Sequence, residues 1–137
     1  MKIEEHDKAY EEHIKNINRI IEEGVEENQR NIGYNVSQAS IELFSIFLHK
    51  LNLIQSSGEQ FDHRTFKSNE LIEKKIPPEF AEKERIIKLM REIELDRNVI
   101  CYGKRKPKDK IEKMIKCFNE LRTIINSQLK EQNDKQK

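Results

Sequence analysis

Residues 35–55, NVSQASIELFSIFLHKLNLIQ, are the most apolar stretch of the chain. Val36, Ser40, Leu43, Phe47, Leu51 and Ile54 recur at three- and four-residue steps, and Ile41, Phe44 and Leu48 form a second stripe beside them. So wide an apolar face cannot be covered by a single neighbouring helix. The stretch is expected at the centre of a helical assembly, or with its second stripe in a subunit interface.

Helical patterns flank it. Upstream, Ile3, Tyr10, Ile14, Ile17, Ile21 and Val25 mark one stripe on a helix from residue 3 to the high twenties, with Gly24 weakening its last turns and Gly33 marking the break before the next helix. Downstream, Ser56, Ser57 and Gly58 are expected to stop the central helix. A non-periodic segment to Ser68 then holds Phe61 and Phe66, read as an ordered loop whose aromatics plug one end of the assembly. A short helix over residues 69–75 follows and ends before Pro77 and Pro78.

The next helix begins near Glu79, with Phe80, Ile86 or Ile87, Met90 and Ile93 on its buried stripe, and stops at Gly103. Asp109 and Glu112 have capping-box spacing after Pro107. Ile111, Met114 or Ile115, Phe118, Leu121, Ile125 and Leu129 then give a last helix of about twenty residues. The expected fold class is all-α, an antiparallel four-helix bundle with an additional short helix. It forms one domain over residues 3–129, followed by a polar C-terminal tail over residues 130–137.

Composition agrees with this reading. The 137 residues are 37% charged and 35% hydrophobic with only four Gly and three Pro, which suits helices with one wet face. The net charge of +1 hides an asymmetry, since residues 1–30 hold five basic and nine acidic side chains. Lys104, Arg105, Lys106 and Lys108 make a short basic run that either meets phosphate or is a solvated loop.

The N-terminus is charged from Lys2 onward, without an apolar leader, and no apolar run approaches the ~18 residues of a membrane span. Cys101 and Cys117 have neither zinc nor redox-pair spacing. A cytoplasmic chain with reduced thiols and no membrane association is expected. No cofactor is expected: His6 and His13 lie seven apart on the first helix without a third ligand, and read as exposed or interface residues.

Arg97 breaks the pattern. It falls four residues after Ile93, where the stripe asks for an apolar side chain, and a guanidinium there is costly unless it finds partners or a wet cleft. The structural alternative is that Arg97 bonds a nearby carboxylate such as Glu94 or snorkels out at a helix end.

These residues carry a resemblance. A charged first helix, an apolar second helix bearing Gln38, Ala39, Ser40, Ile41 and Glu42, a helix ending in Arg97-Asn98, and a last helix after a basic turn together resemble the HEPN family over residues 3–129. The resemblance implies a homodimer with the Arg97 motif at the subunit interface, a minimal nucleotidyltransferase as partner in a toxin–antitoxin-type pair, and metal-independent ribonuclease chemistry. In such a site Arg97, Asn98 and Tyr102 would be catalytic if the protein is active. Arg97 with Lys104, Arg105, Lys106 and Lys108 would bind nucleic acid or nucleotide, and Glu42 and Asp96 would support them.

One departure changes the expectation. Where the family places a histidine after Arg97, this chain has Tyr102, Gly103 and Lys104, and its last histidine is His63. Histidine, with a pKa of ~6.5, supplies both base and acid near neutrality, whereas tyrosine at ~10 stays protonated. Tyr102 can still donate to phosphate or stack on a base, sharing a face with Asn98 if the helix persists. The leading expectation is a module binding a nucleotidyltransferase and RNA or nucleotide, with reduced or no ribonuclease activity. The alternatives are an active ribonuclease toxin, and an unrelated structural four-helix bundle in which Arg97 is buried against a carboxylate within one subunit.

Overall fold

The computed structural model describes residues 1–54 and 61–135, and every regular element among them is helical. Five α-helices follow in order: α1 (Ile3–Glu23), α2 (Gln29–Lys50), α3 (Asn69–Lys75), α4 (Lys83–Cys101) and α5 (Lys108–Lys135). A 3-10 turn, His63–Lys67, precedes α3.

Helix α2 is the centre, because it packs on α1, α4 and α5 alike. Both of its stripes are covered: Leu43, Phe44, Phe47 and Leu48 are all buried, with Phe44 and Phe47 at 0% exposure. Each such side chain contributes roughly 1.5–3 kcal/mol by leaving water. No apolar stripe of α2 is therefore left over for a subunit interface, and that ground for expecting a dimer falls away.

Named contacts fix the directions of the helices. His6 meets Glu42 and His13 meets Asn35 at 2.5 and 2.9 Å, so α1 and α2 run oppositely. Lys113 bonds Asp96 at 3.3 Å and Cys117 bonds Glu92 at 3.5 Å, giving the same relation between α4 and α5.

The two early glycines exchange their expected roles. Gly24, at φ 125°, stops α1, a conformation that side chains rarely adopt, and its N–H bonds the Ile20 carbonyl at 2.8 Å. Gly33 instead lies buried inside α2, where a Cβ would stand 2.9 Å from Cys101 Sγ and 3.1 Å from Ile100 Cγ2. It is there because α4 crosses α2 too closely for a side chain, so α2 starts six residues earlier than the pattern suggested.

At its other end α2 closes at Lys50. Asn52 takes a left-handed conformation at φ 59°, its N–H bonding the His49 carbonyl at 3.0 Å while that of Leu53 bonds Leu48 at 2.9 Å. The expected stop at Ser56, Ser57 and Gly58 lies outside the described residues.

Phe61 and Phe66 pack on Phe44 with ring centroids 5.4 and 5.6 Å away, as the plug reading required. The described part of the segment carrying them includes a turn of 3-10 helix as well as loop. Asp62 accepts from the Arg64 N–H at 2.8 Å to start the 3-10 turn, and Ser68 Oγ accepts from Leu71 N–H at 3.2 Å to start α3.

Helix α4 begins at Lys83 rather than near Glu79. Phe80 precedes it and packs from the loop onto Phe44 and Phe47 at 6.0 and 5.9 Å. Helix α5 opens at Lys108, so Asp109 lies inside the first turn instead of capping it, and Glu112 pairs with Lys108 at 3.8 Å. The same helix continues through the polar residues expected to form a tail, as far as Lys135. Among the described residues no helix is long and apolar enough to cross a membrane.

Candidate functional site

Arg97 sits where the stripe of α4 turns inward, and it is 92% buried, at 8% relative exposure. One turn before it, Glu94 is buried to 3% and faces α2, where Ser37 Oγ donates a 2.5 Å hydrogen bond to its Oε1. The other carboxylate oxygen, Oε2, lies 3.7 Å from His63 Nδ1, delivered by the 3-10 turn. That separation allows a charge interaction and is too long for a hydrogen bond.

Three buried atoms of these residues have no hydrogen-bond partner among the described residues: Arg97 Nε, Glu94 Oε2 and His63 Nδ1. Leaving such a group unsatisfied costs about 1–3 kcal/mol apiece. The charge of Arg97 acts on both Glu94 and His63, yet no ion-pair contact joins Arg97 to a carboxylate among the described residues.

Burial sets the protonation of the pair. Desolvation pushes the Glu94 carboxyl up to about 7, against the smaller opposing effects of the Ser37 hydrogen bond and the Arg97 charge. Desolvation lowers His63, and the Arg97 charge lowers it further. Near neutrality the histidine is therefore largely neutral, and the glutamic acid is close to half protonated.

The remaining expected residues disperse. Tyr102 is 59% exposed and lies beyond the last turn of α4 in extended backbone, so it does not share a helix face with Asn98. Its ring stands 6.0 Å from the Arg97 guanidinium carbon, at the outer range of a cation–π contact. Asn98 is exposed on α4. Glu42 pairs with His6, and Asp96 with Lys113, so neither supports Arg97 directly.

The basic run is partly committed to structure. Arg105 donates to the carbonyls of Glu26 and Glu27 at 2.8 and 3.3 Å, docking the α4–α5 connection onto the turn between α1 and α2. Gln29 bonds the backbone of Lys106 twice, at 2.7 and 2.9 Å. Lys108 pairs with Glu112, and Lys104 is exposed. None of these four side chains bonds a member of the Arg97 cluster among the described residues.

Sequence reasoning missed His63 and Ser37. Ser37 lies directly before the quoted Gln38, but His63 sits in the one segment without periodicity, so no spacing could place it against Glu94. His6 is buried and bonded to Glu42, while His13 bonds Asn35. No group of three or more His, Cys, Asp or Glu among the described residues is arranged to hold a metal ion.

Comparison with protein-family models, curated proteins and solved structures gives no match.

Proposed function

We propose that this chain is a HEPN-like helical protein of a toxin–antitoxin-type pair, a homodimer in the cytoplasm that binds a minimal nucleotidyltransferase and receives RNA or nucleotide phosphate at the Arg97 pocket. The antiparallel relations of α1 with α2 and of α4 with α5 support a four-helix bundle of that kind. The observation that carries the ligand reading is the buried Arg97 Nε without an acceptor. A guanidinium offers paired donors that match phosphate oxygens, and an incoming phosphate would satisfy what the protein leaves open.

A second reading, metal-independent RNA cleavage, is favoured by His63. The motif histidine is missing after Arg97, but His63 reaches the same cluster from the other side. A structural bundle is favoured by the burial of Arg97 near Glu94 within one chain.

Metal-free binding and cleavage of single-stranded RNA by the wild type, Arg97→Ala, His63→Ala and Tyr102→His separates the three. Binding without cleavage that is lost in Arg97→Ala supports the leading reading. Cleavage lost in Arg97→Ala and His63→Ala supports the second. Absence of binding in the wild type leaves the structural bundle.

A further inference from the structure

We propose that the cluster of Ser37, His63, Glu94 and Arg97 is a proton-coupled oxyanion site, in which a phosphodiester binds together with a proton taken up by His63 and Glu94. This rests on the Arg97 reading above and adds to it a regulation by pH.

Geometry carries the inference. Three buried polar atoms, one on each of Arg97, His63 and Glu94, lack partners, and His63 Nδ1 stands 3.7 Å from Glu94 Oε2 within reach of the Arg97 charge. The His63 side chain is 27% exposed and the Glu94 side chain 4%, so His63 lies nearer to solvent than Glu94. The three unpartnered atoms are buried, so an oxyanion takes hydrogen bonds from the N–H groups of Arg97 and His63 only once the side chains part to admit it. It then meets Glu94, which can donate to it only when protonated and repels it when ionised.

The charges facing the pair point the same way. From the 3-10 turn come Asp62, Arg64 and Lys67, and from α4 comes Arg97. Asp62 is already engaged by Arg64 through two bonds of 2.8 and 3.0 Å, and among the described residues neither Lys67 nor Arg97 has an ion-pair partner. From α2 only the uncharged Ser37 reaches Glu94.

The sign follows. Burial already disfavours the charged forms, raising Glu94 to about 7 and lowering His63. A bound anion adds negative charge beside both groups, which raises the proton affinity of each. Binding and protonation then assist each other reciprocally, and affinity rises as pH falls.

The test is calorimetry with the non-cleavable dinucleotide thymidylyl-thymidine, whose phosphodiester does not titrate near neutrality, and with sulfate as a second probe. Each is measured at pH 6, 7 and 8 in buffers of different ionisation enthalpy. The wild type is expected to bind at least fivefold more tightly at pH 6 than at pH 8, with net proton uptake. Glu94→Gln, which keeps the shape and removes the titration, should bind at pH 8 more tightly than the wild type and with a flatter pH profile.

His63→Gln should lose part of the proton uptake while retaining binding. Thermal melts of each variant confirm folding. Equal wild-type affinity at all three pH values, or the same pH profile in wild type and Glu94→Gln, overturns the coupling while leaving the Arg97 ligand reading intact. Failure of the wild type to bind either probe at any pH overturns the inference, and the RNA-binding assay above then decides the ligand reading separately.

Discussion

Ser37 Oγ donates to Glu94 Oε1 at 2.5 Å across the seam between α2 and α4, and among the described residues no other hydrogen bond reaches this buried carboxyl group. The bond opposes the desolvation that raises Glu94. In Ser37→Ala the glutamic acid should titrate still higher than about 7, as read by carbon-detected NMR of the side-chain carboxyl. A hydrogen bond to a charged group contributes about 1.5–3 kcal/mol, so the variant should be destabilised by that order at pH 8 and by less at pH 5.

Glu94 itself should make the protein less stable as pH rises. Its folded pKa lies above the ordinary value of 4.5, so the folded state holds the proton more tightly than the unfolded chain. That contribution is complete below 4.5 and is lost as pH climbs to about 7, a change of roughly 3 kcal/mol from the shift alone. His63 acts in the opposite sense: its folded pKa is depressed, so stability is lost as pH falls below 6.5. Urea denaturation of wild type and Glu94→Gln from pH 4 to 8 should show the wild type losing ground to the variant across this window. Parallel curves would mean that Glu94 is better hydrated than its burial implies.

Gly33→Ala should destabilise the protein even though alanine is the better helix former by about 1 kcal/mol. The new Cβ would stand 2.9 Å from Cys101 Sγ and 3.1 Å from Ile100 Cγ2, and the two helices must part to admit it. Overpacking of this kind costs typically about 1–3 kcal/mol. Adding Cys101→Ala removes the nearer obstacle and should recover part of the loss in a denaturant titration.

The contrast between Gly24 and Gly33 shows where sequence stops being informative. Periodicity placed the four long helices in order and put α2 at the centre, because those features follow from local apolar spacing, while Phe61 and Phe66 stood out only as aromatics in a segment without it. Which glycine breaks a helix depends on what approaches it, and for Gly33 that is a helix about 70 positions away in the chain. Arg97 was legible as an anomaly, since an arginine on an apolar stripe is visible without a structure. Its surroundings were not: His63 and Glu94 are 31 positions apart, in segments whose patterns say nothing of each other. Glu42 and Asp96, expected beside Arg97, are engaged instead by His6 of α1 and Lys113 of α5, contacts that no spacing within one helix announces.

Arg105 and Lys104 should behave differently despite their adjacency. Arg105 ties the α4–α5 connection to the carbonyls of Glu26 and Glu27, and Arg30 reaches the other way to the carbonyls of Cys101 and Gly103 at 2.5 and 3.0 Å. Arg105→Ala should therefore lower stability by about 1 kcal/mol, a few degrees of melting temperature, whereas Lys104→Ala should leave it unchanged. If RNA binding falls equally in both variants while only Arg105→Ala melts earlier, the run serves both purposes.

The proposed homodimer now has a different surface to explain it. Helix α2 is covered within the chain, but on α4 Leu95 is 66% exposed and Val99 41%, one turn apart on the outer side, with the 59% exposed Tyr102 next along. Large apolar side chains in water at this spacing form a stripe that a second copy can bury, close to the Arg97 site. Sedimentation at micromolar concentration should give a particle near twice the 16.4 kDa chain mass. Leu95→Glu should convert it to a monomer without lowering the melting temperature of the isolated fold, because Leu95 contributes little to the core. A wild-type particle of one chain mass would sink the dimer. A dimer that survives both Leu95→Glu and Val99→Glu would place the interface away from α4, and the Arg97 cluster would then have to receive its ligand within a single chain.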